Sequence, residues 1–145
     1  MSNSILVALD GSSQAEAVLD AAVSLAKAEA RGLLLMRAVG IPPELPLEAF
    51  SGSADGLLES MRAEADGYLL RMAKRVPAGV SVEREVVIGP AWEQICAVAR
   101  ARDVALVVIG AHGYRGLDRV FGTTAAKVVN HADHSVYVVR PRAAT

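Results

Sequence analysis

Five segments of the chain have the pattern of β-strands, and longer segments with helical periodicity lie between them. Residues 5–9 form a continuous apolar run, Ile-Leu-Val-Ala-Leu, that ends at Asp10-Gly11. A run without polar alternation is typical of a strand that is covered on both faces, as in a parallel sheet. The other predicted strands are residues 33–39, 80–88, 104–109 and 135–139.

Helix signals separate these strands. Ser13, with Glu16 three residues later, has the pattern of a capping box and predicts that the first helix begins there. Pro90 suits the opening turn of a third helix, and a short fourth helix is predicted over residues 124–130. The second helix has an apolar stripe formed by Leu58, Met61, Ala65, Tyr68 and Met72.

Strands and helices alternate throughout the chain, without a second core or an internal repeat. This order predicts βαβ units with right-handed crossovers. We therefore predict an α/β fold, a three-layer doubly wound parallel sheet of five strands, in a single domain over residues 1–145. Residues 40–53 contain Pro42, Pro43 and Pro46 and are predicted to form an irregular, mobile flap.

The composition narrows the class of function. The 15 Lys and Arg residues nearly balance the 16 Asp and Glu residues, so the chain lacks the basic footprint of a nucleic-acid-binding protein. Its one cysteine, Cys96, excludes an intramolecular disulfide. No apolar stretch approaches the ~18 residues that a membrane span needs. We expect a soluble, cytoplasmic protein that binds neither nucleic acid nor membranes.

Several residues are of types that often bind metals or react, but they have an ordinary structural interpretation here. His131 and His134 have H-x-x-H spacing but no third ligand, so we predict no metal site formed by side chains. We interpret these two histidines as a helix C-cap and surface residues. Cys96 and Trp92 fit the inner face of the third helix and are interpreted as core residues.

Open α/β sheets bind their ligands beyond the carboxyl ends of the strands, where the strand order reverses. Residues 10–13 and 110–124 are loops at such ends. The second loop has glycines that let the backbone approach a ligand, and it ends at Thr124, ahead of a helix whose first amides favour an anion. Its His112, Arg115 and Arg119 add positive charge. From these residues alone, a phosphate site and an ordinary turn with a helix cap fit equally well.

Two common phosphate motifs are absent. No Lys follows Gly122, so the loop is not a P-loop, and the turn after the first strand lacks G-x-G-x-x-G. A kinase or a strong NTPase needs a Lys or a metal clamp at the phosphates. We therefore assign no catalytic residue and expect at most slow hydrolysis of a bound nucleotide.

Four segments together match one known pattern: Ile5-Leu-Val-Ala-Leu-Asp-Gly-Ser12, Val107-Val-Ile-Gly-Ala-His-Gly113, Gly122-Thr123 and Ala132-Asp-His-Ser-Val-Tyr-Val-Val-Arg-Pro141. With them the sequence resembles the universal stress protein family across essentially its whole length. The nucleotide-binding branch of that family carries G-x2-G-x9-G-[S/T]. In this chain eight residues, 114–121, stand where that motif has nine, so the phosphate loop is one residue shorter.

The resemblance implies a Rossmann-like sheet of the adenine nucleotide alpha hydrolase type, with strand order 3-2-1-4-5. It also implies a homodimer that pairs through the last strand, residues 135–139. Asp10 would contact the ribose or the adenine edge with Ala8 and Leu9 beside it, and Ala38 would offer backbone groups to adenine. Ile109 and Gly110 would form the floor of the site. The residues expected to hold the phosphates are His112, Gly113, Arg115, Gly122, Thr123 and Thr124.

Two classes of function follow from these expectations. The first is a regulatory protein that binds ATP for preference, or ADP, AMP or cyclic AMP, with Mg²⁺ or Mn²⁺ bridging the phosphates. The second is a nucleotide-free dimer that acts through protein contacts, for which the shortened loop is the supporting feature. An enzyme of the related hydrolase superfamily fits less well, because a chain of 145 residues has no room for an added substrate domain.

Overall fold

The chain forms five strands and four helices in the part that the computed structural model describes, residues 3–40, 54–111 and 121–140. The strands are β1 (Ile5–Ala8), β2 (Leu33–Val39), β3 (Val82–Ile88), β4 (Leu106–Gly110) and β5 (Val136–Val139). The helices are α1 (Ala15–Glu29), α2 (Ala54–Ala73), α3 (Ala91–Arg102) and α4 (Thr123–His131). Residues 41–53 of the predicted flap lie outside the described residues.

All strand pairs are parallel, and the sheet has the order β3-β2-β1-β4-β5. The predicted fold class and strand order are therefore confirmed. No helix among the described residues is long and apolar enough to cross a membrane.

Strand β1 is apolar at every position because helices cover both of its faces. Ile5 and Val7 pack in a cluster with α1 and α2, whereas Leu6 packs in a second cluster with α3 and α4. All three are fully buried. Alternation of side chains across a strand then requires an apolar residue at each position. No polar or charged residue is fully buried among the described residues.

Two predicted strand boundaries extend too far toward the N-terminus, because buried valines lie in turns. Val80 donates its N–H to the Pro77 carbonyl, and strand β3 begins only at Val82. Val104 donates its N–H to the Ala99 carbonyl across Asp103, which has φ 46°. This is the arrangement of a Schellman helix end, in which an apolar residue follows the left-handed one. The other strand boundaries match the predictions or differ from them by one residue.

The predicted capping box is wrong. Helix α1 begins at Ala15, and its N-cap is Gln14, which makes no side-chain cap hydrogen bond. Ser12 donates its N–H to Asp10 Oδ1 at 2.9 Å, and Gln14 donates its N–H to Ser12 Oγ at 3.3 Å. These local bonds, with Gly11 at φ +78°, form a turn that occupies the residues before the helix. We call residues 10–12 the Gly11 turn.

Replacing Gly11 by alanine tests the conformation of this turn. Gly11→Ala puts a residue with a side chain into the left-handed backbone conformation. It also places the new Cβ 2.9 Å from Arg37 Nη1. We expect a loss of about 1–2 kcal/mol in the free energy of unfolding, measured by chemical denaturation. Gly79→Ala is the control, because a Cβ there meets nothing within 4 Å and φ is not positive. Equal stability of the two variants would contradict the turn geometry.

Candidate functional site

A cavity of about 360 Å³ opens at the carboxyl end of the sheet. It lies where the strand order reverses: β1 pairs with β2 on one side and with β4 on the other. Strand β1 is also shorter than these neighbours, since β2 continues to Val39 and β4 to Gly110. The cavity therefore occupies the position at which open α/β sheets bind their ligands.

Nine of the twelve residues that the sequence singled out line this cavity. They are Ala8, Leu9, Asp10, Ala38, Ile109, Gly110, Gly122, Thr123 and Thr124. The remaining three, His112, Gly113 and Arg115, lie outside the described residues. Segments that are far apart in the sequence are thus brought to one site by the carboxyl ends of three neighbouring strands and the start of α4.

The backbone of Ala38 faces the gap that β1 leaves. Leu9 donates its N–H to the Met36 carbonyl at 2.9 Å, and β1 itself ends at Ala8. Alternate residues of a strand direct their backbone groups to the same side, so Ala38 points its N–H and C=O past the end of β1. These groups face the cavity, which Ala38 lines.

The N-terminus of α4 forms a second wall of the cavity. Its N-cap, Gly122, has φ −64° and ψ 168° and supplies no side-chain cap. The N–H of Gly122 donates to the Ala111 carbonyl at 2.8 Å, which fixes the start of the helix against the end of β4. The first amides of a helix have no intrahelical acceptor, so this wall offers N–H groups and the positive pole of the helix dipole.

The absence of an acidic residue in its first turn distinguishes α4 from α1 and α3. The first turns of α1 and α3 contain Glu16 and Glu93, respectively, and the first turn of α4 contains no acidic residue. A carboxylate in the first turn compensates the helix dipole. The positive pole of α4 is therefore left for an anion from outside the helix.

Gly110, the first glycine of the predicted phosphate loop, has the conformation of a strand residue. It is the last residue of β4 and pairs with Val139. Among the described glycines, Gly11 and Gly89 have positive φ, and Gly110 does not. The absence of a side chain at Gly110 therefore contributes space in the cavity and not a left-handed turn.

The remaining wall is apolar, and much of it was missed by sequence reasoning. Its additional residues share either the inner face of a helix or a buried strand position: Ala15, Val18, Met36, Ala91, Ile95, Ala111 and Ala125. Such residues have the same pattern as ordinary core residues, so the sequence contains no signal that separates them from the core.

Two polar residues at the start of α1 were also missed. Ser12 and Gln14 line the cavity, and Gln14 Oε1 is buried without a hydrogen-bond partner among the described residues. A buried acceptor of this kind is rare in folded proteins and favours a donor from a ligand or water. No group of three or more His, Cys, Asp or Glu that could hold a metal is present in the described part of the chain.

The histidines near β5 differ in part from the sequence interpretation. The ring of His131 lies 5.0 Å from that of Trp92, which is partly buried and packs against the cluster of α3 and α4. His134 is not a surface residue, because its side chain is only 17% exposed and its Nδ1 is buried. Cys96 is buried as predicted, and burial raises the pKa of its thiol, which makes it a poor nucleophile.

Known universal stress proteins resemble this chain in both sequence and fold. Universal stress protein Sll1388 of Synechocystis sp. is 32% identical over 148 aligned residues, which cover 94% of this chain and 96% of that protein. The solved structure of universal stress protein UspA from Lactobacillus plantarum superimposes with a TM-score of 0.83 at 26% identity, covering 95% of this chain and 97% of that one.

Some similar structures contain adenine nucleotides. A universal stress protein in complex with cAMP superimposes with a TM-score of 0.67 at 23% identity, covering 94% of this chain and 96% of that one. Others were determined with AMP or dAMP. Comparison with protein-family models matches residues 1–140 to the universal stress protein family. On this match over nearly its whole length, the chain belongs to the universal stress protein family.

Proposed function

We propose that this protein binds an adenine nucleotide, ATP for preference, in the cavity at the carboxyl end of the sheet and acts as a regulatory protein of the stress response. One observation carries the proposal. The cavity combines an apolar wall with a helix N-terminus that has neither a side-chain cap nor an acid in its first turn. Ligand sites commonly pair an apolar cavity of several hundred Å³ with a few convergent polar groups.

Each part of a nucleotide has a counterpart in this cavity. The adenine ring would lie against the apolar wall, with the backbone of Ala38 at its edge. The ribose would lie near Asp10. The phosphates would lie at Gly122, Thr123 and Thr124, where amides and hydroxyls can donate to their oxygens. The adenine nucleotides in similar structures support this assignment of the ligand class.

A divalent cation would be held chiefly by the nucleotide. The described residues offer no cluster of three or more metal-ligating side chains, so Mg²⁺ or Mn²⁺ would bind through phosphate oxygens. His112, Gly113 and Arg115 remain proposed phosphate contacts outside the described residues.

Regulation by binding fits this site better than turnover. Asp10 is the one carboxylate among the described cavity residues, and it already accepts a hydrogen bond from the Ser12 amide. It is therefore a poorly placed base for hydrolysis, which we propose to be slow at most. A bound nucleotide would act by favouring one conformation over another, in proportion to its differential affinity for them.

The balanced charge and the single cysteine support a cytoplasmic location.

A thermal-shift titration tests nucleotide binding. The protein is mixed with millimolar ATP, ADP, AMP, cAMP or GTP, with and without Mg²⁺. We expect the adenine nucleotides, ATP most of all, to raise the melting temperature, because a ligand of the native state stabilises it by mass action. GTP should give a smaller shift. If no adenine nucleotide changes the melting temperature, the proposal fails and a nucleotide-free protein acting through protein contacts is favoured.

The variant Gly122→Val tests the position of the phosphates. The backbone of Gly122, at φ −64° and ψ 168°, is accessible to any residue, so the fold should remain intact. The added side chain would occupy the space in which the α4 amides meet the phosphates. We expect nucleotide affinity, measured by calorimetry, to fall at least ~100-fold, which is about 2.7 kcal/mol. Gly79→Val, in a turn away from the cavity, is the control. Unchanged affinity would remove Gly122 from the site.

We also propose a homodimer that pairs through β5. This strand pairs only with β4 among the described residues, and its outer edge is open. Its Tyr137 is 46% exposed, and Val129 of α4, the helix that packs on the other face of β5, is 43% exposed. The opposite edge strand, β3, contains Glu83, Arg84 and Glu85, and charges discourage edge pairing. An exposed apolar edge beside a helix therefore favours β5 as the interface.

The variant Tyr137→Asp tests this interface. Pairing of two β5 strands would bring two carboxylates to one apolar interface, and we expect the dimer dissociation constant to rise at least ~10-fold, or about 1.4 kcal/mol. Sedimentation velocity measures the change. Leu70→Asp is the matched control, because Leu70 of α2 is 41% exposed but lies away from β5. A monomeric unmutated protein, or equal dissociation of the two variants, would contradict the proposed interface.

A further inference from the structure

One charged side chain interrupts the apolar strand β2. Arg37 lies between Met36 and Ala38, on the same face of the strand as Leu35, which packs in the cluster of α1 and α2. It is partly buried, and none of the salt bridges among the described residues includes it. Its position on a face that otherwise packs against helices makes the neighbours of its guanidinium informative.

The guanidinium of Arg37 lies beside Gly11. A Cβ at Gly11 would lie 2.9 Å from Arg37 Nη1, 3.2 Å from Cζ and 3.2 Å from Nη2. The guanidinium therefore fills the space that a side chain at Gly11 would occupy. Its carbon also lies 4.7 Å from the ring centre of Tyr68 on α2. Arg37 is thus next to both the Gly11 turn and Tyr68.

The ring of Tyr68 provides a surface on which the guanidinium of Arg37 packs. The Tyr68 hydroxyl is buried and makes no hydrogen bond of standard geometry among the described residues. Burial raises the pKa of Tyr68, Arg37 opposes that shift, Asp10 and Glu16 add to it, and the nearby backbone of Gly11 also lowers the pKa. The ring is therefore neutral at pH 7 and presents a cation–π surface to Arg37.

We infer that Arg37 is a positioning residue for the proposed nucleotide site. Its guanidinium packs on the Tyr68 ring and stabilises the Gly11 turn in the conformation in which Asp10 and Ser12 face the cavity. Both residues line the cavity, whereas Arg37 is not among its described lining residues. Arg37 therefore acts on the ligand through the turn and not by direct contact. This inference rests on the proposed function, because it concerns how the same site is held in a binding conformation.

Affinity measurements on two ligands test this role. We propose calorimetry with adenosine and with AMP on the unmutated protein, on Arg37→Met and on the control Arg71→Met. Arg71 lies 6.0 Å from the same Tyr68 ring but on α2. Arg37→Met should weaken binding of both ligands by the same factor, roughly fivefold, the ratio expected for loss of one cation–π contact. Arg71→Met should leave both affinities nearly unchanged.

Two double-mutant cycles separate positioning from a general structural effect. In an Asp10→Asn background, Arg37→Met should change adenosine affinity by much less than fivefold, because the turn then has no carboxylate to position. In an Arg37→Met background, Gly11→Ala should destabilise the protein less than it does alone, since the guanidinium that its Cβ would meet has been removed. The second cycle needs no ligand.

The outcomes distinguish this inference from the proposed function. If the unmutated protein binds neither adenosine nor AMP, the proposed function fails and the inference fails with it. If the protein binds both ligands and Arg37→Met binds them equally well, only the inference fails. A loss for AMP but not for adenosine would show that Arg37 contacts phosphate directly, which overturns a positioning role. Additive effects in either cycle would also overturn it.

Discussion

The hydrogen bonding of β1 to two neighbours is the constraint on which the site depends. Strand β1 pairs with β2 and with β4, and the helices that follow β1 and β4, α1 and α4, pack on opposite faces of the sheet. Strand β1 ends at Ala8, and the last ladder bond on its β2 side joins Leu9 to Met36. The adjacent strands continue, so a gap remains at the centre of the carboxyl edge, and the backbone groups around it have no strand to pair with.

Small residues keep this gap open. Protein interiors are close-packed, and empty volume next to a core is unfavourable. Here the walls are formed largely by residues without long side chains: Ala8, Ala15, Ala38, Ala91, Gly110, Ala111, Gly122 and Ala125. A leucine at several of these positions would fill the cavity and add apolar burial to both clusters. The cavity is therefore built into the sequence at a cost in packing, which a bound ligand would offset.

The sequence allowed the fold to be predicted because the central strands are covered on both faces. Continuous apolar runs identified β1 and β2, and alternation with helical segments identified the parallel order of the chain. The boundaries were less predictable where an apolar residue closes a turn, as Val80 and Val104 do. The start of α1 was mispredicted because Ser12 and Asp10 bond to nearby amides and displace the expected cap at Ser13.

The candidate site was predictable only for residues that follow strands or carry a recognisable motif. Asp10 and Gly122 satisfy that condition, and the fold brings them to one cavity. The apolar residues of α3 at the same cavity, Ala91 and Ile95, do not, since a helix residue beside a ligand has the pattern of any core residue. Arg37 could not be interpreted either, because its partner atoms belong to Gly11 and Tyr68, and only their arrangement in space reveals the contact.

The electrostatics of the site are local and do not come from the net charge. The chain has a formal net charge of −1, so it provides little long-range attraction for an anion. A phosphate would instead respond to the first turn of α4, where a glycine cap and the absence of an acid leave the amide dipoles uncompensated. Such an interaction acts over one helical turn and requires the ligand to be held in place by other contacts. The apolar wall and the Gly11 turn would supply those contacts, so that the base and ribose set the position at which the phosphates meet the helix.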